Sequence, residues 1–258
     1  MRRLLVNKIS SAELSALLRK SEIIFTRHYN GLMIPDLGEL LGIKNGNGFF
    51  YNEILNEVRK LRNNFDFVSI GGFNVIVTKE FFTNYLSLLL ERSRTNGVYK
   101  HLPIGRYTKS ERDLYEAMLE HGPISRKSLI YLFGITGKKS RELLDQSLLK
   151  LWEKLWITCV SYQKEEGTTW QALVDWDKTS IRKALKMERE EALEKIVLAI
   201  VRSSKVITRP QIRRLLKFIA TIETIDETIT RLMVKNTIDV SPKIIINGKK
   251  GLVYNKVR

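Results

Sequence analysis

Between Phe25 and Leu41 the chain gathers the groups that acid–base chemistry needs. Arg27-His28-Tyr29 is followed by Pro35-Asp36 and then Glu39. An imidazole titrating near neutrality can carry a proton. Two carboxylates nearby can direct a water or stabilise a developing positive charge. Asp36 directly follows a proline at the predicted start of a helix, where an acidic residue also has an ordinary role as a cap and dipole partner. Tyr29 and Met33 are large side chains of the same stretch. The second group is purely cationic. It comprises Lys138, Lys139 and Arg141, then Arg209, Arg213 and Arg214, and finally Lys249-Lys250 beside an Asn-Gly turn. Short clusters of this kind at helix starts and ribbon tips suit phosphate contacts.

Other chemistries find no support in the residues. There is no P-loop, no Gly-x-Gly-x-x-Gly, no His-Glu-x-x-His, and no His-x-Glu with paired cysteines. His28, His101 and His121 are far apart, so no metal site and no cofactor are expected. Cys159 stands alone in an apolar strand and reads as a small buried hydrophobe. A nucleophilic lysine cannot be singled out among so many. Trp152, Trp156 and Trp170 fall where core or ribbon-base packing is expected. Asp175 and Asp177 read as caps of a following helix.

The elements that must position these groups recur as a block of two short helices, a longer third helix and two strands. The clearest copy has helices at Glu111–Glu120, Ser125–Phe133 and Lys138–Lys154, then a hairpin of Ile157–Tyr162 and Thr168–Val174 around Gln163–Gly167. Ser110 is its expected N-cap. Leu129, Ile130 and Phe133 should bury the second helix, and Leu143, Leu144, Leu148, Leu151 and Trp152 the third. That order is a winged helix, whose third helix presents its N-terminal end to DNA. A further copy has helices at Arg189–Arg202, Arg209–Phe218 and Ile225–Asn236. Thr208 and Pro210 mark the start of its second helix, and its ribbon is tipped by Asn247–Gly251. The first copy is diverged. Its helices are expected near 11–20, 35–41 and 49–62, with a short strand at Glu22–Thr26. Its hairpin pairs Phe65–Ile70 with Phe73–Thr78 around Gly71-Gly72, and an extra helix runs over Phe81–Arg94. A linker helix, Lys178–Met187, joins the second and third copies. The expected fold is therefore mainly α with small β-ribbons (α+β), as three tandem winged-helix domains at 1–94, 95–186 and 187–258.

Composition agrees with a polyanion partner. The 258 residues carry a formal net charge of +16, spread along all three blocks, and the pI is about 9.9. The abundance of Ile, Lys, Glu and Arg with few Gln leans toward a heat-adapted source. No apolar run approaches the ~18 residues of a membrane span, and the basic start lacks the apolar stretch of a signal peptide. A cytoplasmic, nucleoid-associated monomer bound to double-stranded DNA is the expectation.

The stretches EAMLEHGPISRKSLIYLFG, GKKSRELLDQSLLKLWEKLWITCV, WQALVDW and MEREEALEKIVLAIVRSSKVITRPQIRRLL resemble the winged-helix DNA-binding proteins related to the AlkZ/YcaQ DNA glycosylases. FTRHYNGLMIPDLGELL matches the N-terminal pattern of that superfamily more loosely. The resemblance covers about three quarters of the chain. It implies three winged helices around a basic channel for duplex DNA and, in active members, excision of alkylated bases. The catalytic signature of those members is a Gln, an apolar residue, then Gln or Asp near the first block. This chain has no Gln before Gln146 and so lacks it. Asp36, Glu39 and His28 are then the candidates for chemistry, with Arg27 and Tyr29 on the DNA. The rival functions are a transcription regulator or architectural DNA binder without enzymatic activity, and a protein–protein scaffold.

Overall fold

The computed structural model of the protein describes residues 11–26, 36–40, 55–60, 64–89, 105–204, 206–246 and 249–254. The described residues are mostly helical, with small antiparallel sheets ordered β1-β3-β2, β4-β6-β5 and β7-β8. They divide into two compact units. One combines Met1–Leu88 with Met187–Arg258, and the other is Leu89–Lys186.

The second unit runs α5 (Lys109–His121), β4 (Ile124–Ser125), α6 (Arg126–Leu132), α7 (Lys138–Glu153), β5 (Ile157–Gln163), β6 (Gly167–Ala172), α8 (Leu173–Trp176) and α9 (Lys178–Lys186). This is the order expected for a winged helix, with β4 pairing β6 to complete the sheet. The start of α5 is Thr108 rather than Ser110, because Thr108 closes a capping box. Its hydroxyl accepts the Glu111 N–H at 3.2 Å, and its own N–H donates to the Glu111 carboxylate at 2.8 Å. Glu111 is 5% exposed and also holds Lys150 of α7. Behind it, Trp156 is buried and donates its indole N–H to the Tyr107 hydroxyl at 2.7 Å. Its ring meets Tyr107 and Tyr115 edge-on at 6.0 and 5.4 Å. The second ribbon strand ends at Ala172 instead of Val174 because 173–176 turn into α8. Asp177 then caps α9, accepting the Ser180 N–H at 3.0 Å and its hydroxyl at 2.6 Å.

In the first unit, α1 (Ser11–Ser21) lies on a sheet of β1 (Ile23–Phe25), β3 (Phe73–Thr78) and β2 (Asn64–Ile70). Leu14, Leu18, Ile24, Leu37, Leu55, Val58 and Ile76 form its core, drawing on α2 (Leu37–Leu40) and the helical residues 55–60 (α3). After β3 comes α4 (Lys79–Leu89), largely buried, whose Tyr85 hydroxyl donates back to the Ser69 carbonyl of β2 at 2.7 Å. The extra helix thus begins two residues before the expected Phe81, where Thr78 accepts the Phe81 N–H at 3.3 Å. From Met187 the chain returns with α10 (Arg189–Ser203), α11 (Arg209–Leu216), α12 (Ile222–Val234), β7 (Ile238–Ile246) and β8 (Lys249–Tyr254). Thr208 and Gln211 form a capping box at α11, and Thr221 caps α12 three residues earlier than expected. Ile207 bridges to Leu252, as β4 does to β6 in the other unit.

The first unit is fused across this sequence gap. α10 packs against α1, β1, α12 and β8. Arg202 pairs with Glu22 at 3.3 Å, the Ser203 hydroxyl donates to the Ser21 carbonyl, and Arg189 donates to the Leu88 carbonyl at 2.8 Å. The turn of the β2–β3 hairpin also meets α11. A Cβ added to Gly71 would lie 2.8 Å from both the Arg214 carbonyl oxygen and Leu215 Cα, and Gly71 has φ +62°. Only glycine fits such a left-handed turn at that approach.

Candidate nucleic-acid interface

Helix α7 is amphipathic, and its geometry separates core from surface cleanly. Leu144, Leu148, Leu151 and Trp152 are buried. Leu143, expected on that stripe, is 55% exposed, because one residue's step of about 100° carries it off the face. At the N-terminal end Gly137 precedes the helix with no side-chain cap. The first-turn N–H groups and the positive end of the helix dipole are thus not met by a capping side chain. Lys138, Lys139 and Arg141 are all exposed there. The Lys138 side chain is 92% exposed and lies 3.9 Å from the Glu142 carboxylate. Three cations on a helix terminus that itself favours anions make a phosphate-attracting surface.

The cations of α6 are engaged instead. Arg126 forms a two-point ion pair with Asp145, at 2.6 and 2.9 Å. Lys127 holds Glu166 of the ribbon turn at 2.8 Å, and the Ser125 hydroxyl donates to the same carboxylate at 2.9 Å. Those two hydrogen bonds, Lys127 first, hold the Glu166 carboxyl below its ordinary pKa. Phe133, expected to help bury this helix, is 39% exposed, since α6 ends at Leu132 and the following residue swings outward.

The third block places its basic residues differently. Arg213 makes a two-point ion pair with Asp226 of α12. The Arg214 guanidinium lies 5.1 Å over the Phe73 ring of the hairpin, and Arg209 approaches the Met233 sulfur at 3.3 Å. The three arginines that the sequence offers as DNA contacts therefore each have an intramolecular partner. At its start α12 carries Glu223, Asp226 and Glu227, the opposite sign to α7. Lys249 and Lys250 lie on β8, paired with Ile246 and Ile245, rather than in the turn itself.

Of the first block's candidates, Asp36 is 5% exposed and bridges to Phe25 immediately before α2. That is the cap-like position its sequence context also allowed. Glu39 falls within α2. Arg27, His28, Tyr29 and Met33 lie outside the described residues. Among the described residues no three His, Cys, Asp or Glu side chains converge as metal ligands, and no helix is long and apolar enough to cross a membrane. Sequence reasoning missed the aromatic Tyr131 of α6, which is 90% exposed. The signal for it was the run Ile130-Tyr131-Leu132-Phe133, four consecutive apolar residues that a helix cannot place on one buried face; Tyr131, Leu132 and Phe133 are exposed.

Among solved structures, the DNA glycosylase AlkZ of Streptomyces sahachiroi superposes with a TM-score of 0.51 at 13% identity. The match covers 96% of this chain and 66% of that one, so the chain spans just under two thirds of that protein's length. No curated protein matches the sequence. The family model described as AlkZ related matches residues 70–217, which include α4 to α11 and the whole cationic end of α7. With more than half of its length under that match, the chain belongs to the AlkZ-related family.

Proposed function

We propose that the protein is a double-stranded DNA-binding protein that grips the phosphate backbone through the N-terminal end of α7. The observation that carries this reading is the exposed trio Lys138, Lys139 and Arg141 on an uncapped helix terminus. The net charge of +16 and the family membership support it. In this reading the chain holds three winged helices, at 1–94, 95–186 and 187–258, and acts as a monomer on cytoplasmic, nucleoid DNA. Lys249 and Lys250 add grip from the last ribbon. Anisotropy of a labelled duplex across a salt series tests it. Affinity should fall steeply with salt. Replacing Lys138, Lys139 and Arg141 by Ala should flatten the slope by about 1 for each phosphate that is no longer neutralised. Salt-independent or absent binding sinks the reading.

The further step is repair: excision of a damaged base from the bound duplex, the activity for which the superposed AlkZ glycosylase is named. Asp36 and Glu39 would stabilise positive charge at the sugar or direct a water, with His28 carrying the proton. Arg27 and Tyr29 would hold the DNA beside them. Duplexes with single alkylated, deaminated, oxidised or abasic sites, treated with alkali after incubation, report excision directly. Cleavage at one lesion, abolished by Asp36→Ala and Glu39→Ala, supports it. Intact strands with tight salt-sensitive binding favour a regulator or architectural binder, the reading that the absent Gln signature supports.

A further inference from the structure

An open groove of about 840 Å³ is lined by residues of α6 and of the turn that leads into α7. Ile124, Ile130, Tyr131, Leu132 and Ile135 form its apolar walls, and Lys127, Ser128 and Glu166 border it. Tyr131 is 90% and Leu132 48% exposed, so this surface leaves a phenol ring and an aliphatic side chain in water. Apolar surface gathered in this way marks a binding site more often than chance exposure does. Thr136 also lines the groove, two residues before Lys138, so the groove opens next to the cationic end of α7.

That combination selects its occupant. A second copy of the chain would bring Lys138, Lys139 and Arg141 against their own kind on a chain of charge +16. An anionic ligand with a flat apolar body fits better. A nucleotide has both parts: a phosphate for the lysines, and a base whose π-face stacks on an aromatic ring and whose edge needs hydrogen-bond partners. The Glu166 carboxylate and the Ser128 hydroxyl are polar groups at the groove's border able to meet such an edge. The corresponding turn of the third block repeats the exposure, with Phe218 at 65%.

We propose that the groove beside α6 receives an unpaired nucleobase of DNA held at α7, stacked on Tyr131. This rests on the DNA-binding reading above. The test compares an intact duplex with the same duplex carrying one bulged nucleotide, for the wild-type chain, Tyr131→Ala and Tyr131→Phe. The wild type should prefer the bulged duplex. Tyr131→Ala should bind the bulged duplex about fivefold to 150-fold more weakly, the range for removing one base–aromatic stack. It should hold the intact duplex as before, and Tyr131→Phe should keep the preference. The outward position of Tyr131 makes these variants safe for folding, and thermal melts confirm that. Equal affinity of the wild type for both duplexes, or a preference that survives Tyr131→Ala, overturns the proposal and leaves duplex binding standing. A wild-type chain that binds neither duplex overturns both readings. Self-association that disappears in Tyr131→Ala also overturns it, by assigning the groove to a second copy.

Discussion

Replacing Gly71 by alanine should destabilise the first unit far more than the same change one residue later. Gly71 and Gly72 form one hairpin turn, with φ +62° and +84°. Alanine in the left-handed region costs about 1–2 kcal/mol at either position. Only at Gly71 would the new methyl meet backbone, 2.8 Å from the Arg214 carbonyl and from Leu215 Cα, whereas nothing lies within 4 Å at Gly72. Backbone cannot rotate aside as a side-chain tip does. Relief requires the hairpin and α11 to separate, at an overpacking cost of about 1–3 kcal/mol. Gly71→Ala should therefore destabilise by about 2–5 kcal/mol and Gly72→Ala by about 1–2 kcal/mol. Subtracting the two removes the backbone-strain contribution and leaves the docking of the turn on α11. Urea unfolding of both variants, with unchanged m-values, measures the difference. A difference below about 0.5 kcal/mol, the usual additivity error, refutes the close approach of this turn to α11.

Tyr107→Phe strands the buried Trp156 indole N–H and should cost about 1–3 kcal/mol in urea unfolding. Arg213→Ala should leave duplex affinity nearly unchanged, because its guanidinium is held by Asp226, while Lys139→Ala weakens binding; anisotropy at fixed salt separates the two. The Glu166 carboxyl has a folded pKa below its ordinary value, so the Lys127–Glu166 tie is present above the unfolded carboxylate range and is lost as pH falls through the folded pKa. An NMR titration should place the Glu166 midpoint higher in Lys127→Ala than in the wild type, and coincident midpoints would contradict the tie.

What the sequence disclosed follows the range over which its signals act. The Gly71-Gly72 hairpin, Thr208 before Pro210, and the 3.6-residue stripe of α7 are encoded within a few residues, and the elements form where they are expected. Ser110 stands in for Thr108 in the sequence reading because both residue types can cap. The choice falls to Glu111, which closes the capping box on Thr108 and also meets Lys150 from α7. The fate of the arginines on α11 was not legible. Whether Arg213 faces solvent depends on Asp226 thirteen residues away, and Arg214 depends on Phe73 in another block. Charge in a sequence reports how many cations exist, and only tertiary pairing decides which remain available to a polyanion.

The clasp of Arg189 on the Leu88 carbonyl has a bearing on how the chain is made. It joins the point where residues 89–186 leave the first unit to the point where they return, so that stretch is an insertion whose two ends meet. On the ribosome, where segments fold as they emerge, the inserted unit completes its own chain before the unit that encloses it. The β2–β3 hairpin and α4 are synthesised before that inserted unit, yet their partners α10 and α11 arrive only after it. The β2–β3 hairpin thus gains its full set of neighbours only after the inserted unit is complete, and during that wait its apolar strands are open to misassembly.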